Sequence, residues 1–364
     1  MSRFLIWGTG GMATQFYRFY SQISLLQENE IICFIDNDCE NKKMFKGIPV
    51  ISPLDINQYE YDYISIWTPK YEKEIKRQIT EELNIPNEKI ADIFFPYKEL
   101  LCAKYNNSDD IEVQEVLEKI CEMNGLGVYY FERKNETDKL NEAFYDASAD
   151  LYYIFFEGKR MYLKRTYDFW IDKESKRFVG DMWGEQSKNS PHLYEENSIK
   201  IEQNDILVDA GVCEGNFSLH HIDKVKKLYL IECDEEWMEA LHYTFLPYKD
   251  KVVFSNRFLS NKDSDKTICL DTLVTGKVNF IKMDIEGEEI NALKGANRVL
   301  EENKSLKCAI CSYHRHGDEQ AIRSILQKYG FETETSKGYM LFLGDNYVLN
   351  NPELRKGVVR GIKY

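Results

Sequence analysis

The sequence predicts an α/β protein of two units in series, each built on a largely parallel sheet, and three observations carry that expectation. Length is the first: 364 residues exceed what one hydrophobic core usually serves. The second is the alternation of short apolar runs with helical periodicity, as in 3-RFLIW-7 and 31-IICFID-36 near the start and 205-DILVDAG-211, 227-KLYLIEC-233 and 278-VNFIKMD-284 further on. Third, two runs open into glycine-rich loops, 4-FLIWGTGGMA-13 and 207-LVDAGVCEGNF-217, at the strand-to-helix turns where parallel sheets hold ligands.

Composition narrows the function classes. A net charge of -14 argues against a nucleic-acid partner, because backbone binding rests on many Lys and Arg contacts to phosphate. No apolar run approaches the roughly 20 residues of a membrane-spanning helix. The start, MSRFLIWGTG, enters a strand directly and has no apolar signal region, so a reducing, cytoplasmic setting is expected. The nine cysteines are scattered and odd in number, which predicts buried free thiols; a Cys-only zinc site would need a second close pair beside 308-CAIC-311.

Residues 1–96 predict a small nucleotide or sugar-nucleotide binding domain. After the strand 3–7, Gly8 suits a tight turn, Gly10 close backbone approach, and Ala13 the packing of a helix that runs through about Phe19. Asp36 ends the second strand, where its carboxylate could reach ribose hydroxyls. A third strand is expected at 61-YDYISIWT-68 and an amphipathic helix at 70–83, with Ile75, Ile79 and Leu83 on one stripe. The unit is too short for both halves of a dinucleotide fold, so a purely structural turn remains open beside ligand binding. An NAD(P)-dependent sugar-nucleotide oxidoreductase or epimerase using this loop is the alternative function.

Residues 97–200 predict helical spacers, as in 111-IEVQEVLEKIC-121, then a Gly125/Gly127 break, a charged run from Glu132 to Glu142, and an aromatic, basic, strand-like region. From Glu157 to Arg177 seven Lys or Arg face four Asp or Glu; this local excess would attract an acidic client such as a sugar diphosphate, or form a solvated face. His192, in the polar turn 185-EQSKNSPHLY-194, is free to line a cleft or to stand as a surface histidine.

In the second loop, Gly211 and Gly215 would let a cofactor approach the turn's N–H groups, and Glu232, at the end of the next strand, is placed to accept ribose hydroxyls. Asp209 and Glu214 would repel a diphosphate but tolerate a sulfonium cofactor carrying an ammonium group. Further strands are expected at 251–258, 307–313 and 338–344, with helices at 286–300 and at 319–330, the latter closed by Gly330.

Residues 205–344 resemble the FkbM family of S-adenosylmethionine-dependent methyltransferases, whose strongest signature is matched by 280-FIKMDIEGEEINALKGANRVL-300, with 270-LDTL-273 matching the segment ahead of it. Asp209, Gly211, Gly215 and Asn216 match the family's cofactor loop, Glu232 its ribose carboxylate, and Asp284 and Glu286 its signature acids. Cys213 departs from the usual Asn or Ala, and Glu214 marks a subgroup; neither removes the glycines or the ribose acid. Residues 1–96 are similar to the small Rossmann-like domain that precedes such enzymes in some bacterial polysaccharide loci.

The resemblance implies a C-terminal Rossmann-like methyltransferase domain over 201–344, a small N-terminal Rossmann-like α/β domain over 1–96, and a tail over 345–364. It implies S-adenosyl-L-methionine as cofactor and O-methylation of a sugar hydroxyl in a surface polysaccharide or its nucleotide-linked precursor. Partners would be a small-molecule or glycan substrate, with no nucleic acid and no membrane insertion, leaving room for a homo-oligomer. The family's Tyr/His pair falls on Tyr313 and His314, so His314 ranks first as the base, ahead of His316, with Asp284 and Glu286 beside it. No metal is assigned: the acids of 284-DIEGEE-289 also resemble a loose site for a divalent cation near Asp284 and Glu286, but Asp and Glu gather at helix N-termini for structural reasons too.

Overall fold

The computed structural model describes residues 2–23, 29–122, 141–172, 177–178 and 182–364. Two compact units emerge, one from residues 1–128 with 343–353, the other from 129–342 with 354–364.

The first unit holds β1 (Arg3–Trp7), β2 (Glu30–Ile35), β3 (Met44–Phe45), β4 (Ile48–Ile51), β5 (Tyr63–Ile66) and β6 (Ile90–Ala91), in the order β3-β4-β2-β1-β5-β6. All neighbours are parallel except β3 and β4. The helix Gly11–Gln22 follows β1. The expected helix at 70–83 is a chain of three short pieces, a 3-10 turn, an α-helix at Glu72–Arg77 and a π-turn at Gln78–Glu82, and its Ile75 and Ile79 still pack on Leu5, Trp7, Ile35 and Ile64 of the sheet. Helices Phe95–Tyr105 and Ile111–Glu122 follow, and 343–353 closes on the first of them, where Tyr97 donates to the Val348 carbonyl at 2.5 Å and Lys104 to that of Pro352 at 2.7 Å. The predicted break at Gly125/Gly127 and most of the charged run at 132–142 lie outside the described residues.

The second unit begins with an antiparallel sheet of β7 (Asn141–Asp146), β8 (Leu151–Phe156), β9 (Lys159–Tyr162), β10 (Ile171–Asp172) and β11 (Arg177–Phe178), in the order β10-β11-β7-β8-β9. Strands therefore stand in the aromatic region, as its strand-like texture predicts, and they belong to this unit.

The larger sheet is assembled from β12 (Ile206–Ala210), β13 (Lys227–Ile231), β14 (Val252–Ser255), β17 (Phe280–Met283), β18 (Leu306–Cys311), β19 (Glu332–Thr335) and β20 (Val358–Lys363), while β15 (Phe258–Leu259) and β16 (Thr267–Ile268) pair apart. Its order is β14-β13-β12-β17-β18-β20-β19, parallel as far as β18, with β20 antiparallel to both its neighbours. Leu207, Leu228, Leu230 and Phe280 belong to one buried cluster and Val208, Tyr229, Ile281 and Met283 to another, so both faces are covered. That is why these strands read as unbroken apolar runs rather than as alternating ones.

Three expectations need correcting. The helix expected at 286–300 is two, Glu289–Lys294 and Asn297–Glu302, because the chain presses against another loop at Gly295, where a Cβ would sit 2.1 Å from the Ser260 carbonyl oxygen. Residues 338–344 form no strand and make only an isolated bridge, Met340 to Arg355. The residues expected to be a tail include β20, inserted between β18 and β19. Its disguise is Arg360, which interrupts the apolar pattern yet is 1% exposed, held by Glu196 at 2.5 Å, Glu334 at 3.0 Å and the Leu193 carbonyl.

Deleting residues 354–364 should abolish the cooperative unfolding of the second unit. Val358, Val359 and Ile362 are buried there, and losing about 1.5–3 kcal/mol for each approaches the roughly 5–15 kcal/mol that holds a domain together. Urea denaturation followed by tryptophan fluorescence reads this; an unchanged transition would show that the strand is dispensable.

Candidate active site

The second glycine-rich loop leaves β12, which lies beside the central strand β17 of the larger sheet. Gly211 has φ +72°, and a Cβ there would lie 1.6 Å from the Asp284 carbonyl oxygen; Gly215 has φ +82°, and a Cβ would meet Leu241 at 2.8 Å and Phe245 at 3.0 Å. Both positions therefore demand glycine for packing within the protein, whatever else approaches the loop. The Asp284 amide donates to the Ala210 carbonyl at 2.9 Å, so the ends of β12 and β17 are stitched together at this point.

Asp209 and Lys282 face each other in register across those strands, Nζ to Oδ1 at 3.0 Å, and both are buried. Lys282 also donates to the carbonyls of Gly211 at 2.5 Å and Ala210 at 3.3 Å, and Ser218 donates to the other Asp209 oxygen at 2.6 Å. Burial works to lower the Lys282 pKa, but Asp209 and then Asp284 outweigh it and hold it above the ordinary lysine value. Asp209 thus serves as the counter-ion of a strand lysine, deeper than a cofactor-facing acid would be.

Glu232, buried at the end of β13, accepts from the Cys213 amide at 3.0 Å and the Asp234 amide at 2.9 Å, which ties the loop to the next strand-helix junction. Glu214 accepts from the Tyr167 hydroxyl at 3.3 Å; burial pushes its carboxyl up, against that hydrogen bond and the pull of Lys282. Asn216 opens the helix Asn216–His221, with Gly215 before it.

Asp284, just past β17, is the hub. His192 Nε2 lies 3.1 Å and the Tyr194 hydroxyl 3.0 Å from Oδ2, while the Tyr313 hydroxyl and His314 Nε2 both lie 3.4 Å from Oδ1. Burial would raise its pKa, but the His192 hydrogen bond and the charges of His192, Lys282 and His314 hold it well below the usual carboxylate range. His314 is buried, with Nδ1 3.1 Å from Glu289 Oε1 and Nε2 3.7 Å from Glu286 Oε2. Burial lowers its pKa; Glu289, Asp284 and Glu286 outweigh that and raise it above the ordinary histidine value. Glu286 itself stands at the rim, its side chain 81% exposed. Phe342 covers the pair, its ring 5.3 Å from Tyr313 and 5.2 Å from His314, which is what the misread segment 338–344 contributes.

Asp209, Gly211, Gly215, Glu232, Asp284 and His314 thus gather at one edge of the sheet, as parallel-sheet topology requires. Four of the other histidines do not join them. His316 is exposed, His220 pairs with Glu157 at 2.7 Å, His221 with Glu195 at 2.9 Å, and His242 packs on Phe254. His192, expected only as a cleft or surface residue, is in direct contact with Asp284. Lys282, Tyr194 and Glu289 were not anticipated; a charged residue inside the four-residue apolar run FIKM was the signal for the first, and nothing local distinguished Glu289 from its acidic neighbours.

Elsewhere three expectations weaken. In the first loop the Asp36 carboxylate already accepts from the Thr9 hydroxyl at 2.5 Å and the Asp38 amide at 3.0 Å, and a Cβ on Gly8 would strike Thr68 at 1.9 Å. The basic stretch after Glu157 is neutralised locally: Lys159 pairs with Asp223, Arg160 with Asp146, Lys164 with Asp234, and Arg165 with Asp150 and Glu239. The rest of that stretch, 173–176, lies outside the described residues. The thiols are free, but Cys121, Cys213 and Cys233 are exposed rather than buried.

Residues 164–333 match the family model described as Methyltransferase FkbM domain. This part of the chain is an S-adenosylmethionine-dependent methyltransferase domain, on a sheet whose order and single antiparallel insertion were described above. Residues 1–91 match the model described as C2185-like, N-terminal. No curated protein matches the chain. Among solved structures, the chain is similar to Methyltransferase FkbM from Methylobacillus flagellatus KT, at 16% identity over 99% of this chain and 90% of that one, with a TM-score of 0.49. A precorrin-6y C5,15-methyltransferase from Geobacter metallireducens GS-15 shares 11% identity over 46% of this chain and 83% of that one, TM-score 0.33. Magnesium protoporphyrin IX methyltransferase from Synechocystis PCC 6803, with bound SAM, shares 15% over 44% of this chain and 71% of that one, TM-score 0.32. Among the described residues no helix is long and apolar enough to cross a membrane.

Replacing Lys282 with Met should destabilise the second unit by about 3–5 kcal/mol, since it leaves Asp209 buried without its counter-ion. The double variant Asp209→Asn with Lys282→Met should recover part of that loss in urea denaturation. A single-variant cost below about 1 kcal/mol would mean that the pair carries little.

Proposed function

We propose that the loop at 211–216 and Glu232 receive S-adenosylmethionine, that Asp284, His314 and Glu286 receive the acceptor hydroxyl and its proton, and that the acceptor is a sugar of a surface polysaccharide or of its nucleotide-linked precursor. The observation that carries this reading is one adjacency: the loop backbone at Gly211 abuts the Asp284 carbonyl, and the Asp284 carboxylate is ringed by His192, Tyr194, Tyr313 and His314. A ring of hydroxyl, imidazole and carboxylate groups suits a polar acceptor.

Glu232 stands where a ribose would exchange hydroxyl hydrogen bonds for those the carboxylate now takes from Cys213 and Asp234. Asp209 acts at one remove, through Lys282 and the carbonyls that lysine holds, and Glu214 and Asn216 border the same turn. The transfer is an in-line displacement: the acceptor oxygen forms a bond to the methyl carbon, the carbon–sulfur bond breaks, and the hydroxyl proton passes to the protein. Products are a methyl ether and S-adenosylhomocysteine. Holding oxygen, carbon and sulfur collinear supplies several of the roughly 7–11 kcal/mol available to well-placed reactants. The N-terminal unit would bind a nucleotide or another headgroup at its own first loop, without hydride chemistry.

Two experiments test this reading. Calorimetric titration with S-adenosylhomocysteine should show one site, weakened by about 1–3 kcal/mol in Glu232→Ala and unchanged in Gly10→Asp; the reverse pattern would move the cofactor to the first loop. Methyl transfer from labelled S-adenosylmethionine should be sought across nucleotide-linked hexoses, oligosaccharides, and amine and carboxylate acceptors. Transfer to a sugar hydroxyl should fall roughly 10²- to 10⁴-fold in His314→Ala, in kcat and kcat/KM together, with the cofactor affinity kept. Transfer only to amines or carboxylates would overturn the acceptor class.

A further inference from the structure

We propose that the centre beside the cofactor loop holds a divalent transition-metal ion, ligated by Asp284, Glu289 and His314. The ion's purpose rests on the methyltransferase reading above, but the case for its site is geometric. His314 is 2% exposed, and neither of its ring nitrogens closes a hydrogen bond of acceptable geometry, although carboxylate oxygens stand near both. Glu289 is wholly buried; its Oε1 accepts from the Ile285 amide at 2.8 Å, whereas its Oε2 has no hydrogen-bond partner. An orphaned carboxylate oxygen and an orphaned imidazole in one dry place are costly unless something satisfies them together.

The spacing says what would. Asp284, Glu289 and His314 each present a ligand atom within 4.8 Å of the others. The imidazole lies between the carboxylates, Nδ1 3.1 Å from Glu289 Oε1 and Nε2 3.4 Å from Asp284 Oδ1. Two atoms bound to one ion at about 2.0–2.2 Å stand roughly 3–3.4 Å apart at octahedral or tetrahedral angles. An ion takes only one of those nitrogens, so the carboxylate on the other side of the ring must turn an oxygen toward it, across the 4.8 Å within which the three ligand atoms lie. His192 and Tyr194 engage Asp284 through Oδ2, so an ion at Oδ1 would share that oxygen with the Tyr313 hydroxyl, 3.4 Å away. Glu286, whose Oε2 is 3.7 Å from Nε2, can close the site from the rim.

Charge points the same way. Asp284, Glu286 and Glu289 stand around the His314 imidazole, with His192 on the other Asp284 oxygen, and the Lys282 ammonium is already committed to Asp209 at 3.0 Å. One nitrogen with two carboxylates suits Mn²⁺, Fe²⁺, Co²⁺ or Zn²⁺ better than Mg²⁺ or Ca²⁺, which favour all-oxygen sets. Three protein ligands leave positions for the acceptor oxygen, whose proton an ion makes easier to remove; with a ring nitrogen on the ion, His314 acts as its ligand rather than as the base, and Glu286 at the rim takes the proton.

The test uses full-length protein stripped with a chelator and dialysed into metal-free buffer. Co²⁺ is followed by its visible absorption and Mn²⁺ by calorimetry, and S-adenosylhomocysteine binding is measured separately on the same samples. One ion per chain is expected, bound at least tenfold more weakly in His314→Ala and in the isosteric Glu289→Gln; either variant decides the point if the other fails to fold. No uptake of either ion at millimolar concentration, or undiminished uptake in a folded variant, would overturn the site. S-adenosylhomocysteine binding without ion uptake removes the metal and leaves the methyltransferase reading standing. Ion uptake without S-adenosylhomocysteine binding supports the metal and removes the purpose given to it.

Discussion

A lysine ammonium buried between the central strands of a sheet dictates what must surround it, and Lys282 is that constraint here. It can remain charged in a dry interior only beside a carboxylate and carbonyl dipoles. Asp209 supplies the first from the facing position of β12; Ala210 and Gly211 supply the second from the chain that leaves β12. The ion pair therefore sets the direction of the glycine-rich loop at its first step. Two residues along β17, Asp284 takes its position against that loop, its carbonyl so close to Gly211 that no side chain fits between them. Loop and hub are one rigid construction, as a reaction that depends on collinear atoms requires.

Around the hub, the pieces come from distant parts of the sequence. His192 and Tyr194 arrive from a turn ahead of β12, Tyr313 and His314 from the end of β18, Glu289 from the first turn of a short helix, and Phe342 from an irregular segment. β20 is what closes this set: its antiparallel pairing with β18 runs from Leu306 to Cys311, and the Arg355 guanidinium ahead of it donates to the Tyr313 carbonyl at 2.9 Å. The part of the chain that reads as a tail thus steadies the segment carrying the candidate histidine.

Much of this was legible because burial on both faces writes a strand as a short apolar run. β1 and β12 fall where RFLIW and ILVDA stand, and the turns after them were marked by glycine. The glycines were legible as positions but not as reasons, since whether a missing side chain makes room for a ligand or for Asp284 and Phe245 is settled only by what packs there. β20 was hidden by Arg360, whose compensating acids lie at Glu196 and Glu334 and leave no local trace. The break at Gly295 was hidden for the same reason, its cause being the remote carbonyl of Ser260. Glu289 and Lys282 belong to networks, and a network is invisible to periodicity.

The central claim is that cofactor and acceptor meet where the loop at 211–216 touches Asp284. A crystal structure of the full chain with S-adenosylhomocysteine tests it most directly. The account predicts the ribose hydroxyls on Glu232 and the sulfur turned toward the space enclosed by Asp284, His192 and His314. Density for the nucleoside in the loop at 8–13, or a sulfur directed away from Asp284, would contradict it.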